Sequence, residues 1–339
     1  MSDIMNEIID VLMKLQKGYD EKIPDNAPSL MANIFSNRQD LLTFGTGTNE
    51  LCFSRDEVME LIRSDWDGGW GDFKMDIPNA VIEVDGDVAW FFADCTVKYH
   101  YEDTQENYAY FAETAYEYAT NEKATPKQRL SHINWVFGLR FHQRADGKRE
   151  YLLRAEFSGM LIKEGGNWKI VAMHFATPKP DYPDSRFEDT NRDYVSEYES
   201  QKIKFDSYPQ NVANDKIVEL MNDIESGLSF ERQQVRVLEY GDFMWVMAVG
   251  VQKKVISEDE VLNGSLQDIK RLHESDLPSD EKLYLMKRST AYALKEISSD
   301  SKFTWQVRVS AIVEKKKDGY VIRHKHLSYP CDWIIEGKL

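Results

Sequence analysis

The sequence predicts an α+β protein made of two similar domains. Three observations carry this reading: helical periodicity gathers at the start of the chain, strand patterns follow it, and the later pattern occurs twice. The run GDVAWFFA at 86–93 recurs as GDFMWVMA at 241–248, and WKIVAMHFATP at 168–178 recurs as YVIRHKHLSYP at 320–330. Within the second pair Ile170, His174 and Pro178 match Ile322, His326 and Pro330, and between the pairs Arg154 matches Arg308. The matching pieces keep their order and nearly constant spacing, which chance rarely produces three times in succession.

The elements can be justified in order. Met5, Ile8, Ile9, Leu12 and Leu15 fall on one helical face, so helices are expected over about 3–17 and 28–40. Ser54 followed by Glu57 forms a capping box that opens a helix through Val58, Leu61 and Ile62. Strand patterns follow at about 79–84, 87–101, 132–143, 150–163 and 167–176, interrupted by a helical stretch at 105–130 that breaks at Pro126. Arg144 to Lys148 suggests a three-residue hairpin loop with Gly147 left-handed. That register sets Phe141 against Tyr151, Leu139 against Leu153, Phe137 against Ala155 and Trp135 against Phe157, all on one face. From Thr177 the prolines Pro178, Pro180 and Pro183 and a run of charges read as a linker, placing the boundary near residue 182. The expected domains are 1–182 and 183–339. The second repeats the late order, with a helix at Asp215 and a helical insertion at about 259–287, but lacks a full counterpart of residues 1–50.

Composition narrows the function classes. The chain has 339 residues, 42 Lys+Arg against 58 Asp+Glu, and a formal net charge of −16. Bulk charge therefore argues against nucleic acid or an anionic membrane surface as a partner. No apolar run reaches membrane-spanning length, and the N-terminus lacks the basic region of a secretory signal. Cys52, Cys95 and Cys331 are few, odd in number and scattered, which implies no disulfide framework and a reducing, cytoplasmic location.

The early helices, the GDVAW strand and the closing W-K-I…H-F-x-x-P strand resemble the nuclear transport factor 2-like superfamily, in its SnoaL-like branch. The closing strand is also similar to that of the hub domain of calcium/calmodulin-dependent kinase. The resemblance covers nearly all of 1–182 and most of 205–335. It implies two cone-shaped domains, each a strongly curved antiparallel sheet wrapped around N-terminal helices, with a pocket at the open end. The second cone would be shortened. This superfamily fold serves isomerases, dehydratases, cyclases, transport adaptors and oligomerisation hubs, so function must come from a site. Its enzymes pair a carboxylate base with donors to a developing oxyanion. Their catalytic carboxylates and tyrosine do not align onto definite positions here.

Candidate residues can be weighed against the strand periodicity. Ala89, Phe91, Ala93, Cys95, Val97 and Tyr99 form the expected core face of one strand; Asp94, a candidate base, shares the other with Trp90, Phe92, Thr96 and Lys98. Simple alternation sets His174 on a face with Trp168, Ile170 and Ala172, and His326 with Tyr320, Ile322 and His324. If that face lines a cone, Tyr99, His174, His324 and His326 are ligand-binding candidates, with His174 able to exchange protons near neutral pH. His324 and His326 offer two metal ligands without a visible third, so no metal and no other cofactor is expected. Asp65 to Asp76 loosely resembles a calcium loop, but Trp70 and Phe73 occupy positions that need glycine and a polar ligand, and a helix-to-strand turn is expected instead. The Gly45-Thr46-Gly47 stretch lacks the rest of a phosphate cradle. Arg154 and Glu156 are expected at the surface or an interface, and the aromatic 105–122 helix is expected to be a packing arm.

Trp90 and Phe92, with Trp245, Met247 and Val249, make outer faces too apolar for water, so the two sheets are expected to pack back to back as an internal pseudo-dimer, monomeric or paired as a homodimer. The leading functional expectation is a protein binding a small apolar or cyclic molecule, with no identifiable catalytic set. The alternatives are acid/base chemistry on such a substrate, with His174 or Asp94 as base, and a protein-interaction module.

Overall fold

The computed structural model describes residues 3–47, 50–102, 104–123, 148–176, 194–275 and 301–330, and single positions at 279, 282, 286 and 290. Among these, helix α1 (Asp3–Glu21) buries Ile8, Val11, Leu12, Leu15 and Tyr19. That stripe recurs every three or four residues, as an amphipathic helix requires. Met5 and Ile9 stand at its margin rather than within it. Helix α2 (Ala27–Ile34) follows, then the short strands β1 (Leu42–Phe44) and β2 (Leu51–Cys52).

Helix α3 (Arg55–Asp67) starts at Ser54, whose Oγ accepts the Glu57 N–H at 3.2 Å. The capping box differs in one detail. Glu57 accepts the N–H of Phe53, one residue earlier than the box prescribes. Its other oxygen accepts from Lys204 and from the Tyr208 hydroxyl, which ties the cap to a later segment.

The first sheet continues with β3 (Trp70–Met75), β4 (Val81–Asp85) and β5 (Val88–Glu102). Helix α4 (Gln105–Thr120) follows, then β6 (Lys148–Glu164) and β7 (Asn167–Ala176). Its strand order is β2-β1-β7-β6-β5-β3, with β4 also on β5; β1 and β7 run parallel. The second sheet is assembled after α5 (Tyr194–Asp206) and α6 (Asp215–Met221). It consists of β8 (Leu228–Ser229), β9 (Val235–Tyr240), β10 (Phe243–Ile256), β11 (Ser301–Lys316) and β12 (Gly319–Ser328), with α7 (Glu258–Glu274) between β10 and β11. Its order, β12-β11-β10-β8 with β9 on β10, reproduces β7-β6-β5-β3 with β4 on β5. The expected strand at 132–143, its hairpin register and the linker at 177–193 lie outside the described residues.

Side chains of β5 and β6 divide as alternation requires. Phe91 and Phe157 turn inward and meet at 4.8 Å, and Phe157 stacks on Phe175 at 4.0 Å. The outward face of the first sheet meets the outward face of the second. Trp90 contacts Phe243 at 5.3 Å, and Trp245, Met247, Val249 and Ile312 belong to the same apolar core as the first domain. The inner face of the second sheet is a separate core, in which Ile217 and Met221 of α6 and Phe230 pack on Val246, Ala248 and Val309.

Trp245 is 1% exposed and sits in the layer between the sheets. Trp245→Ala should cost about 3–5 kcal/mol, the usual range for removing a large aromatic from a core. Urea unfolding should show a lower midpoint at an unchanged slope; an unchanged midpoint would mean that the sheets do not share this layer.

Candidate functional site

The inner face of the first sheet does not close completely over its helices. Between α3 and the concave side of β7 lies a cavity that offers about 50 Å³ to the centre of a water-sized sphere. That is several times what one ordered water requires. Its walls are largely apolar: Leu61 and Ile62 come from α3, Val97 from β5, Ala155 from β6, and Met173 and Phe175 from β7.

Two acidic side chains and a tyrosine stand in this apolar setting. Asp65 comes from the last turn of α3, on the same stripe as Ile62 and Leu61. Its Oδ2 accepts the Tyr19 hydroxyl at 2.6 Å. Glu50, 8% exposed, enters from the turn before β2, and its Oε2 accepts the Gly47 N–H at 2.7 Å. Gly45 pairs its N–H with the Glu50 carbonyl at 2.9 Å. A Cβ at Gly45 would stand 2.0 Å from Glu50 Oε2, so only glycine lets the Glu50 side chain lie across this turn.

Burial pushes the Asp65 carboxyl up to about 8, the charge of Glu50 pushes in the same direction, and the Tyr19 hydrogen bond opposes both. These effects favour the protonated form of Asp65, which carries a hydrogen-bond donor. Cys52, also buried nearby, is held well above the ordinary thiol range, first by burial and then by Glu57 and Glu50. It is inert as a nucleophile.

The candidate histidines do not line this cavity. The register of β7 shifts between the pairs Met160–Ala172 and Leu161–Ile170, leaving Val171 as an extra residue. A bulge of this kind reverses the alternation beyond it. Trp168 and Ile170 face inward, but Met173 and Phe175 take over that face, and His174 turns outward with Ala172. The second sheet repeats the device: its shift between Ile312–His324 and Val313–Ile322 leaves Arg323 over and turns His324 and His326 outward.

These histidines build the centre of the layer between the sheets. His174 and His326 stack at 4.1 Å. His174 Nδ1 lies 2.8 Å from Ser310 Oγ and its Nε2 2.8 Å from Ser328 Oγ. His326 Nδ1 lies 2.8 Å from Ser158 Oγ, so each histidine reaches a serine of the opposite sheet. His326 Nε2 is also 3.4 Å from Glu156. Burial holds His174 well below its ordinary range, with the neighbouring His326 adding to the effect. His324, against Phe92 at 5.5 Å, is lowered to about 4, again by burial first and His326 second.

Asp94 is exposed on the outer side of β5, opposite Glu156, and burial, Glu156 and Asp76 raise its carboxyl. Tyr99 pairs with Trp70 and Tyr151 in the ladder, and its side chain is outside the described set. Among the described residues no group of three His, Cys, Asp or Glu could hold a metal ion. Tyr110 and Tyr116 of α4 are exposed at 62% and 64%.

Because the folded carboxyl of Asp65 is raised above its ordinary 3.8, the stability it contributes is complete below that pH and is lost as pH rises toward about 8. Asp65→Asn, which cannot titrate, should therefore gain in Tm relative to wild type between pH 5 and pH 8. The expected gain is at least about 2–4 °C, the shift that 1 kcal/mol produces in a domain of this size. A constant difference across that range would place the Asp65 carboxyl at an ordinary pKa.

Residues 26–121 match the family model described as a SnoaL-like domain. No curated protein matches the chain in sequence. Solved structures similar to it include a nuclear transport factor 2-like superfamily protein from Salmonella enterica serovar Typhimurium, at 13% identity and a TM-score of 0.34, over 52% of this chain and 92% of that one. A provisionally assigned scytalone dehydratase from Novosphingobium aromaticivorans has 13% identity and a TM-score of 0.32, over 52% and 84%. A provisionally assigned calcium/calmodulin-dependent kinase II association domain from Xanthomonas campestris has 12% identity and a TM-score of 0.30, over 50% and 86%. The likeness to a SnoaL-like domain is therefore carried by residues 26–121 of this chain.

Proposed function

We propose that the cavity of the first domain binds a small, mostly apolar molecule and holds it by one polar end. The observation that supports this reading is a carboxyl group, Asp65, placed in an apolar wall beside Tyr19 and Glu50. Burying such a group costs stability, and a perturbed carboxyl in a cleft is a common mark of a functional site. The protonated Asp65 would donate to a carbonyl or hydroxyl oxygen of the ligand, while Met173, Phe175 and Val97 would cover its apolar body. In the same reading the second half is a tandem copy of the first and the boundary lies near residue 182. The chain would work in a reducing cytoplasm as its own pseudo-dimer, with no nucleic acid, membrane or cofactor as partner.

A second reading is favoured by one specific feature. A carboxyl raised to about 8 exchanges protons near neutral pH, so Asp65 suits general acid/base chemistry on a small cyclic substrate better than Asp94 or His174. Asp94 faces outward, and His174 is 0% exposed between the sheets.

Phenol combines a small apolar ring with a single hydroxyl and serves as the probe. Calorimetric titration should show phenol binding to the full chain, weakened at least about tenfold in Asp65→Leu, the loss that one hydrogen bond of about 1.4 kcal/mol produces. Equal affinity in both proteins would remove Asp65 from the binding role.

A further inference from the structure

The rim of the cavity is not built by the first domain alone. Arg308 belongs to β11 of the second sheet and is 0% exposed. Its Nη1 donates to the carbonyls of Gly45 at 2.9 Å and Gly47 at 2.7 Å, and its guanidinium lies over the Phe44 ring at 5.3 Å. Its Nε is 3.4 Å from Gln201 Oε1 on α5. A guanidinium held this deep needs well-placed acceptors, since charge taken out of water is costly. Its acceptors include the two carbonyls on either side of Thr46, in the turn that carries Glu50 into the cavity. That turn in turn fixes Glu50, because the Gly47 N–H binds the Glu50 carboxylate and the Gly45 N–H binds the Glu50 carbonyl. A chain of hydrogen bonds therefore runs from the second sheet to the Glu50 side chain that lines the cavity with Asp65.

We propose that Arg308 is a positioning residue of the first domain's cavity: by clamping the carbonyls of Gly45 and Gly47 it sets where the Glu50 carboxylate stands against Asp65. The inference rests on reading that cavity as the functional site. It gives the second domain a part in the first domain's site, while among the described residues α6 and Phe230 pack on the second sheet's own inner face. Among the described residues, the titratable groups that interact with Asp65 are Tyr19 from α1, Glu50 from the rim and Cys52 from β2.

The sign of one shift tests the proposal. The Asp65 carboxyl carbon is followed by NMR against pH in the full chain carrying labelled aspartate. If Arg308 acted on Asp65 only through its charge, Arg308→Met would raise the Asp65 midpoint, since a nearby cation is lost. If Arg308 positions Glu50, the same change lets Glu50 drift away and lowers the midpoint, by about one pH unit, a tenfold loss in proton affinity. Glu50→Gln should lower it comparably, and the double variant no further than either single one. Gly45→Ala, which displaces Glu50 with Arg308 intact, should move it in the same direction. Should Arg308→Met fail to fold, Arg308→Lys keeps the charge but loses the forked geometry, and a smaller downward shift is expected. A midpoint that rises or stays in place in whichever Arg308 variant folds, while Glu50→Gln lowers it, overturns the proposal. Phenol titration of wild type reads separately: absent binding would refute the cavity's role and leave the Arg308 result standing.

Discussion

The layer between the outer faces of the two sheets joins elements that neither half could bury by itself. Trp90 from one side and Phe243 and Trp245 from the other supply its apolar body, which water would otherwise meet as an exposed patch. At its centre the exchange of histidines and serines adds direction to that burial. His174 reaches Ser310 and His326 reaches Ser158, so the two sheets bond each other reciprocally. Buried polar groups are costly unless paired, and the imidazole–hydroxyl pairs formed here accept one alignment and penalise others. A sliding of one sheet over the other would strand both imidazoles. The apolar residues make the association favourable, and the histidines and serines fix its register.

The first domain gains more from this arrangement than the second. It has α1 and α2, and strands β1 and β2 beyond β7, and these leave a cavity with Tyr19, Glu50 and Asp65 at its polar end. Among its described residues the second sheet is covered differently. Seven-residue α6 lays Ile217 and Met221 directly onto its inner face, and the cores on the two sides are separate. Such a division suits a pair in which one half holds the site and the other supports it. Arg308 is where support becomes specific, because it leaves the layer between the sheets and reaches the rim carbonyls.

Much of this was legible in the sequence. The repeat of GDVAWFFA and GDFMWVMA predicted matching strands, and β5 and β10 occupy corresponding places in their sheets. The apolar residues at Trp90 and Trp245 predicted contact between outer faces, because alternation left them no other place to be buried. The histidines were misplaced for a physical reason. Simple alternation cannot register an extra residue, and Val171 and Arg323 each reverse the faces just before the histidines arrive. Asp65 carried a readable signal, an acidic residue three after Ile62 and four after Leu61 on an otherwise apolar helical stripe. Tyr19 carried one too, four residues beyond Leu15 on the buried face of α1. Glu50 carried none, since its position depends on a glycine turn and on an arginine far away in the chain.

The account stands on the two sheets sharing one core, and differential scanning calorimetry of the full chain tests that most directly. A shared layer should make the halves unfold together, in one transition whose calorimetric and van't Hoff enthalpies agree. Two resolved transitions, or a calorimetric enthalpy well above the van't Hoff value, would mean that the sheets fold independently, and the support of the first cavity by the second domain would fall with that result.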